Sequence, residues 1–122
     1  MTTRPQRLQR TRRNRDVPEN ATYVGRGSFW ATPFLSTRFG HARAVGLHRA
    51  WFEVRLTVRA LRQLGFNEFE IPALYRLRQR QIARLHELRG RDLICWCSHK
   101  SRWCHSDTLI RAAARLSMAE AA

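Results

Sequence analysis

All three cysteines of the chain lie within Cys95-Trp96-Cys97-Ser98-His99-Lys100-Ser101-Arg102-Trp103-Cys104-His105. Thiolate and imidazole are the ligands zinc prefers, and thiolate is also the best protein nucleophile. Three chemistries fit that set. In the first, Cys95, Cys97 and Cys104 bind zinc together with His105, or with His99 in its place; the ligand number is that of a closed structural site. In the second, Cys104 or Cys97 is a reactive thiol beside a histidine, which makes Cys104 and His105 the catalytic candidates. In the third, Cys95 is a small apolar core residue and the others are incidental. A disulfide framework does not fit. The cysteine count is odd, and two cysteines on one short strand are poorly placed to bridge.

Local elements must place these side chains. Asp92-Leu93-Ile94-Cys95-Trp96-Cys97 follows the breaker Gly90 and reads as a strand. On a strand, residues i and i+2 share a face, so Cys95 and Cys97 point one way and Trp96 the other. Ser106-Asp107 then opens a helix whose apolar stripe is Leu109, Ile110, Ala113 and Leu116. Cys104 and His105 fall at its N-terminal end, where the helix dipole lowers a thiol pKa.

A second candidate site lies far upstream. Ala21-Thr22-Tyr23-Val24 reads as a strand, ended by Gly25-Arg26-Gly27-Ser28. A glycine-flanked turn after a strand can turn backbone N–H groups toward an anion, with Arg26 and Ser28 as further donors. Neither a Rossmann nor a P-loop pattern is complete here. In the aromatic segment Phe29-Trp30-Ala31-Thr32-Pro33-Phe34, Trp30 either covers the core or forms a stacking wall for a base.

Between the two sites the pattern is helical. Ala44, Leu47, His48, Trp51, Val54, Val58, Leu61 and Leu64 recur at mostly helical spacing, predicting one long helix over residues 41–64 with Gly65 as its stop. Pro72 suits the first turn of a second, strongly basic helix with Leu74, Leu77, Ile82, Leu85 and Leu88 as its apolar side. Residues 1–16 carry Arg4, Arg7, Arg10, Arg12, Arg13 and Arg15 with no apolar stripe, and read as a basic arm.

The chain has 122 residues, 23 basic and 9 acidic side chains, and a formal charge of +14. Lys100 is its single lysine. Arginine's planar fork bonds two phosphate oxygens at once, so the balance favours a polyanionic partner, nucleic acid above all. A coding bias toward arginine would produce the same composition. No long apolar run exists and no apolar segment lies near the start, so the expectation is a cytoplasmic chain with no membrane partner.

The residues also carry a resemblance. Arg7-Leu8-Gln9-Arg10, Pro18-Glu19-Asn20-Ala21, Tyr23-Val24-Gly25-Arg26-Gly27-Ser28, Trp30 and Pro33-Phe34 resemble the start of a small domain. Leu88-Arg89-Gly90-Arg91-Asp92-Leu93 with Cys95-Trp96-Cys97 and Cys104-His105 resembles its end. Together they look like domain-of-unknown-function family 4326, found in phages and bacteria, over about Arg4 to about Leu116. The family loop Trp-Gly-Asn-Pro-Phe is here Trp30-Ala31-Thr32-Pro33-Phe34. The resemblance implies that the glycine turn and the cysteine cluster are two halves of one signature; it implies no activity.

The expectation is therefore a small single α/β domain over residues 17–118, preceded by the basic arm of residues 1–16 and followed by a tail of residues 119–122. Its order is strand, helix, helix, strand, helix, with a short parallel sheet. Ligands of open α/β sheets bind at the C-terminal strand edge, where Gly25, Arg26, Gly27, Ser28 and Trp30 would meet the cysteines. The leading functional reading is a nucleic-acid or nucleotide-like anion binder with a zinc-binding Cys/His cluster. The alternatives are a small enzyme acting on a nucleotide or nucleobase through a metal-bound water or a reactive cysteine, and a phage-type host-interaction protein without catalysis. A two-stranded sheet also leaves edges on which a second copy could pair to form a homo-oligomer.

Overall fold

A computed structural model describes residues 5–97 and 104–121, with side chains in detail up to residue 116. His99 lies outside the described residues. The chain divides into two compact units, residues 33–83 and the segments on either side of them.

The outer segments build a three-stranded sheet, β1 (Arg7–Gln9), β2 (Ala21–Tyr23) and β3 (Asp92–Cys95), in the order β1-β3-β2. Both neighbours run parallel to β3, with Leu8 opposite Ile94 and Thr22 opposite Leu93. The expected parallel pairing of the second and third strands is thus present, and all three strands end on one edge. β1 is the difference. Residues 7–9, read as part of a basic arm, form a strand of the sheet. Nothing in Arg-Leu-Gln announces a strand; the residues are recruited because β3 is buried, and buried N–H and C=O groups must find partners on both sides. Leu93 N donates to Gln6 O at 2.9 Å, and Arg10 N donates to the Cys95 carbonyl. At the opposite edge Arg91 clamps β2, donating to Thr22 Oγ1 at 2.7 Å and to the carbonyls of Glu19 and Ala21.

Helix α5 (His105–Ala121) packs against β3 and against the 3₁₀ turn Leu85–Leu88. Leu109 and Ala113 of its predicted stripe are buried, and Ile110 and Leu116 are half-buried. They meet a core that includes Val24, Leu88, Leu93 and Ile94.

Residues 33–83 form α1 (Ser36–Phe39), α2 (His41–Phe52), α3 (Val58–Gln63) and all but the last residue of α4 (Glu70–Arg84). The single helix expected over residues 41–64 is two. α2 closes in a Schellman motif, with Arg55 N bonded to Ala50 O and Val54 N to Trp51 O. The left-handed position of that motif is Val54 at φ 60°, a β-branched residue where glycine is usual. Thr57 then caps α3, its hydroxyl accepting from Ala60 N. Apolar spacing continues through this break, which is why periodicity alone reads over it. α4 starts with a capping box: Asn67 Oδ1 accepts from the Phe69 and Glu70 amides, and Glu70 Oε1 accepts from Asn67 N. Pro72 lies in its first turn, as expected. The core of this unit is aromatic. Phe34 meets Trp51 and Phe66 edge-on at 5.9 and 5.8 Å, and Trp51 Nε1 donates to Leu74 O at 3.2 Å. No described helix is long and apolar enough to cross a membrane.

Candidate metal centre

Cys95 is the last residue of β3, Cys97 lies two residues beyond it, and Cys104 immediately precedes α5. Their three sulphurs lie within 4.8 Å of one another, with Cys95 Sγ and Cys104 Sγ 3.1 Å apart. All three are free of disulfide; Cys95 and Cys104 are buried and Cys97 is half-buried. Tetrahedral zinc–sulphur bonds of about 2.3 Å set sulphurs roughly 3.8 Å apart, so one ion can reach all three with small side-chain rotations.

The three thiols do not ionise alike. Hydrogen bonds from Cys95 and then Cys97 hold Cys104 far below the usual thiol range, against the opposing effect of burial, and His105 and Ser106 add to the pull. Cys95 and Cys97 are pushed up, first because each bonds to the Cys104 sulphur. Cys104 also sits at the positive end of α5. Ionising one of these thiols disfavours ionising its two neighbours, and a cation in place of their protons would relieve that repulsion.

His105 lies beside Cys104 but is not in the set of ligand atoms that lie within 4.8 Å of one another, which is the three sulphurs alone. Its Nε2 lies 2.8 Å from the Val24 carbonyl and its Nδ1 4.0 Å from Cys104 Sγ. A carbonyl only accepts, so in the neutral ring Nε2 carries the proton and Nδ1 the lone pair. A metal-binding histidine is commonly oriented in this way by a carbonyl on its other nitrogen. Both catalytic candidates are enclosed, with Cys104 at 1% and His105 at 7% exposure. Burial of this kind suits holding an ion better than attacking a substrate.

The glycine turn is on the same edge, one residue beyond the Val24 carbonyl. Its donors are largely spent within the turn. The Ser28 hydroxyl donates to Gly25 O at 2.7 Å and accepts from Trp30 N. Trp30 is 3% exposed and packs edge-on against Phe29 at 5.0 Å. It is the core cover, and no face of it is open for a base to stack on. Arg26 and Gly27 are exposed, Gly27 at φ 86°. Gly25 has a different role: a Cβ there would lie 2.7–2.8 Å from the Tyr23 phenol, so only glycine leaves room for that ring.

Two groups that sequence reasoning passed over stand out here. Asp107, read only as part of a helix start, pairs with Arg7 at 3.2 Å and ties β1 to α5. Burial pushes its carboxyl up more strongly than Arg7 pulls it down. Half-exposed pairs are worth roughly 0–1 kcal/mol. Asp107→Asn is therefore expected to change stability by less than about 1 kcal/mol, measured by urea unfolding; a loss several times larger would mean that the pair is a main tie between these elements. The second group is Arg10, Tyr23 and Trp96. Arg10 lies over the Tyr23 ring at 4.4 Å, and Trp96 Nε1 donates to the Tyr23 hydroxyl at 3.0 Å. Strand alternation had turned Trp96 away from the cysteines; of its partners Tyr23 belongs to β2, and only Arg10 depends on β1, which the sequence does not announce.

Residues 7–115 match the family model described as a domain of unknown function, DUF4326. Comparison with the curated proteins and with the solved structures found no match.

Proposed function

Since the chain belongs to domain-of-unknown-function family 4326, its chemistry must be argued from the site itself, and we propose that it is a nucleic-acid-binding domain stapled by one zinc ion held by Cys95, Cys97, Cys104 and His105. The observation that carries the zinc reading is the convergence of three sulphurs within 4.8 Å from the end of β3 and the start of α5. Three thiolates and an imidazole are a donor set that selects zinc over magnesium or calcium, which take oxygen ligands. Bound there, the ion would fasten the central strand to the helix that covers it. The charge of +14, nearly all of it arginine, supports nucleic acid as the partner.

The purified protein is expected to carry about one zinc per chain, and cobalt in its place to show the thiolate charge-transfer and tetrahedral d–d bands of a sulphur-rich site. The metal must be released as pH falls, because protons compete for the thiolates; the melting temperature then falls with it. Fully folded protein free of metal, unaffected by added zinc or chelator, would reject the staple.

A further inference from the structure

The face opposite the cysteines carries the most distinctive surface of the sheet edge. Trp96 is 43% exposed, unusual for a residue flanked by buried or half-buried cysteines. Its ring is held by the indole bond to the Tyr23 hydroxyl, which itself donates to Arg26 O at 2.9 Å. Two guanidinium groups lie over the ring at long range, Arg10 at 5.8 Å and Arg15 at 5.9 Å from its centroid, where an incoming base would displace them toward its phosphates. Arg12 and Arg13, between them in sequence, are exposed. The nearby carboxylates of that segment are Asp16 and Glu19, both exposed.

We infer that Trp96, held by Tyr23 and flanked by Arg10 and Arg15, forms a stacking platform for single-stranded nucleic acid. The inference rests on the nucleic-acid reading above and names the strand form and the residues. A base has a π-face whatever its identity, and an exposed indole receives it without reading sequence. Arg10 and Arg15, swung off the ring by the base, meet the phosphates on either side of it. A duplex keeps its bases stacked on one another and offers only phosphates, so it cannot use the ring. The pinned orientation of Trp96 lowers the entropy lost when a base lands on it. Gly25 belongs to the same device, since it makes room for the Tyr23 ring that holds the indole.

The test is fluorescence anisotropy with a labelled single-stranded oligothymidine, its oligouridine counterpart and a duplex of equal length, over a salt series. The wild type is expected to bind the single strands more tightly than the duplex. Trp96→Ala is expected to weaken single-strand binding about tenfold or more while leaving the duplex unchanged. Trp96→Phe keeps a ring and should recover most of the affinity. Arg15→Ala should instead lower the slope of log affinity against log salt by about 1 for every nucleic acid. If Trp96→Ala does not fold by circular dichroism, Trp96→Leu replaces it, keeping apolar bulk without a π-face. Single-strand affinity unchanged by these variants, or duplex affinity reduced in equal measure, would overturn the platform and leave the nucleic-acid reading standing. A wild type with no salt-dependent affinity for any of the three would overturn that reading as well.

Discussion

Replacing Cys104 with serine is expected to abolish zinc binding and to lower stability by about 3–4 kcal/mol, the contribution of a ligand present at hundreds of times its dissociation constant. Cys104 is the centre of the cluster, 3.1 Å from Cys95 Sγ, 3.3 Å from Ser106 Oγ and 4.0 Å from His105 Nδ1. Hydrogen bonds from Cys95 and Cys97 hold its thiol below the usual range, which favours the thiolate that a metal takes. Serine fits the space, and its hydroxyl stays protonated near neutral pH. The expected fall in melting temperature is roughly 12–16 °C, at about 4 °C per kcal/mol for a chain of this size. Chelator should bring the wild type to the same temperature and leave the variant unmoved. That double readout separates loss of the ion from loss of packing. A variant that kept its zinc and melted with the wild type would show that Cys104 is not a ligand.

Trp51→Ala probes the other unit, where no metal is invoked. Trp51 is fully buried, and its partners Phe34, His48, Phe52 and Leu74 all belong to residues 33–83. Truncating a buried aromatic of this size costs about 3–5 kcal/mol, through lost burial and the cavity left behind. The Leu74 carbonyl also loses the indole donor. Denaturant unfolding checks the magnitude, with Trp51→Phe expected to recover part of it. Zinc content of the folded variant should equal that of the wild type. A loss below about 1 kcal/mol would mean that the aromatic cluster repacks around the gap.

The break between α2 and α3 was written locally, in Thr57 as a cap, but the apolar spacing ran through it. Val54 at φ 60° carries no local signal at all, because a valine is not expected there. Ser28 and Trp30 had the right chemistry for a ligand and the wrong surroundings, one bonded within its own turn and the other covered. Exposure is a property of the packed molecule, and the residue type does not contain it.

Elements whose causes are local can be read along the chain. These are β2 and β3 taken singly as strands, the start of α5 at Cys104-His105, the first turn of α4 around Pro72 and the cluster of thiols itself. Short-range patterning suffices for them, because a strand's period and a helix's cap act within a few residues. Packing across the fold is what pairs β2 with β3, makes residues 7–9 complete the sheet, presents His105 Nδ1 toward Cys104 because Val24 O takes Nε2, and leaves Trp96 rather than Trp30 open. Each depends on a partner some seventy or more positions away. Such a contact is selected by the need to satisfy a buried strand edge or to cover a core, demands that arise only once the chain has packed.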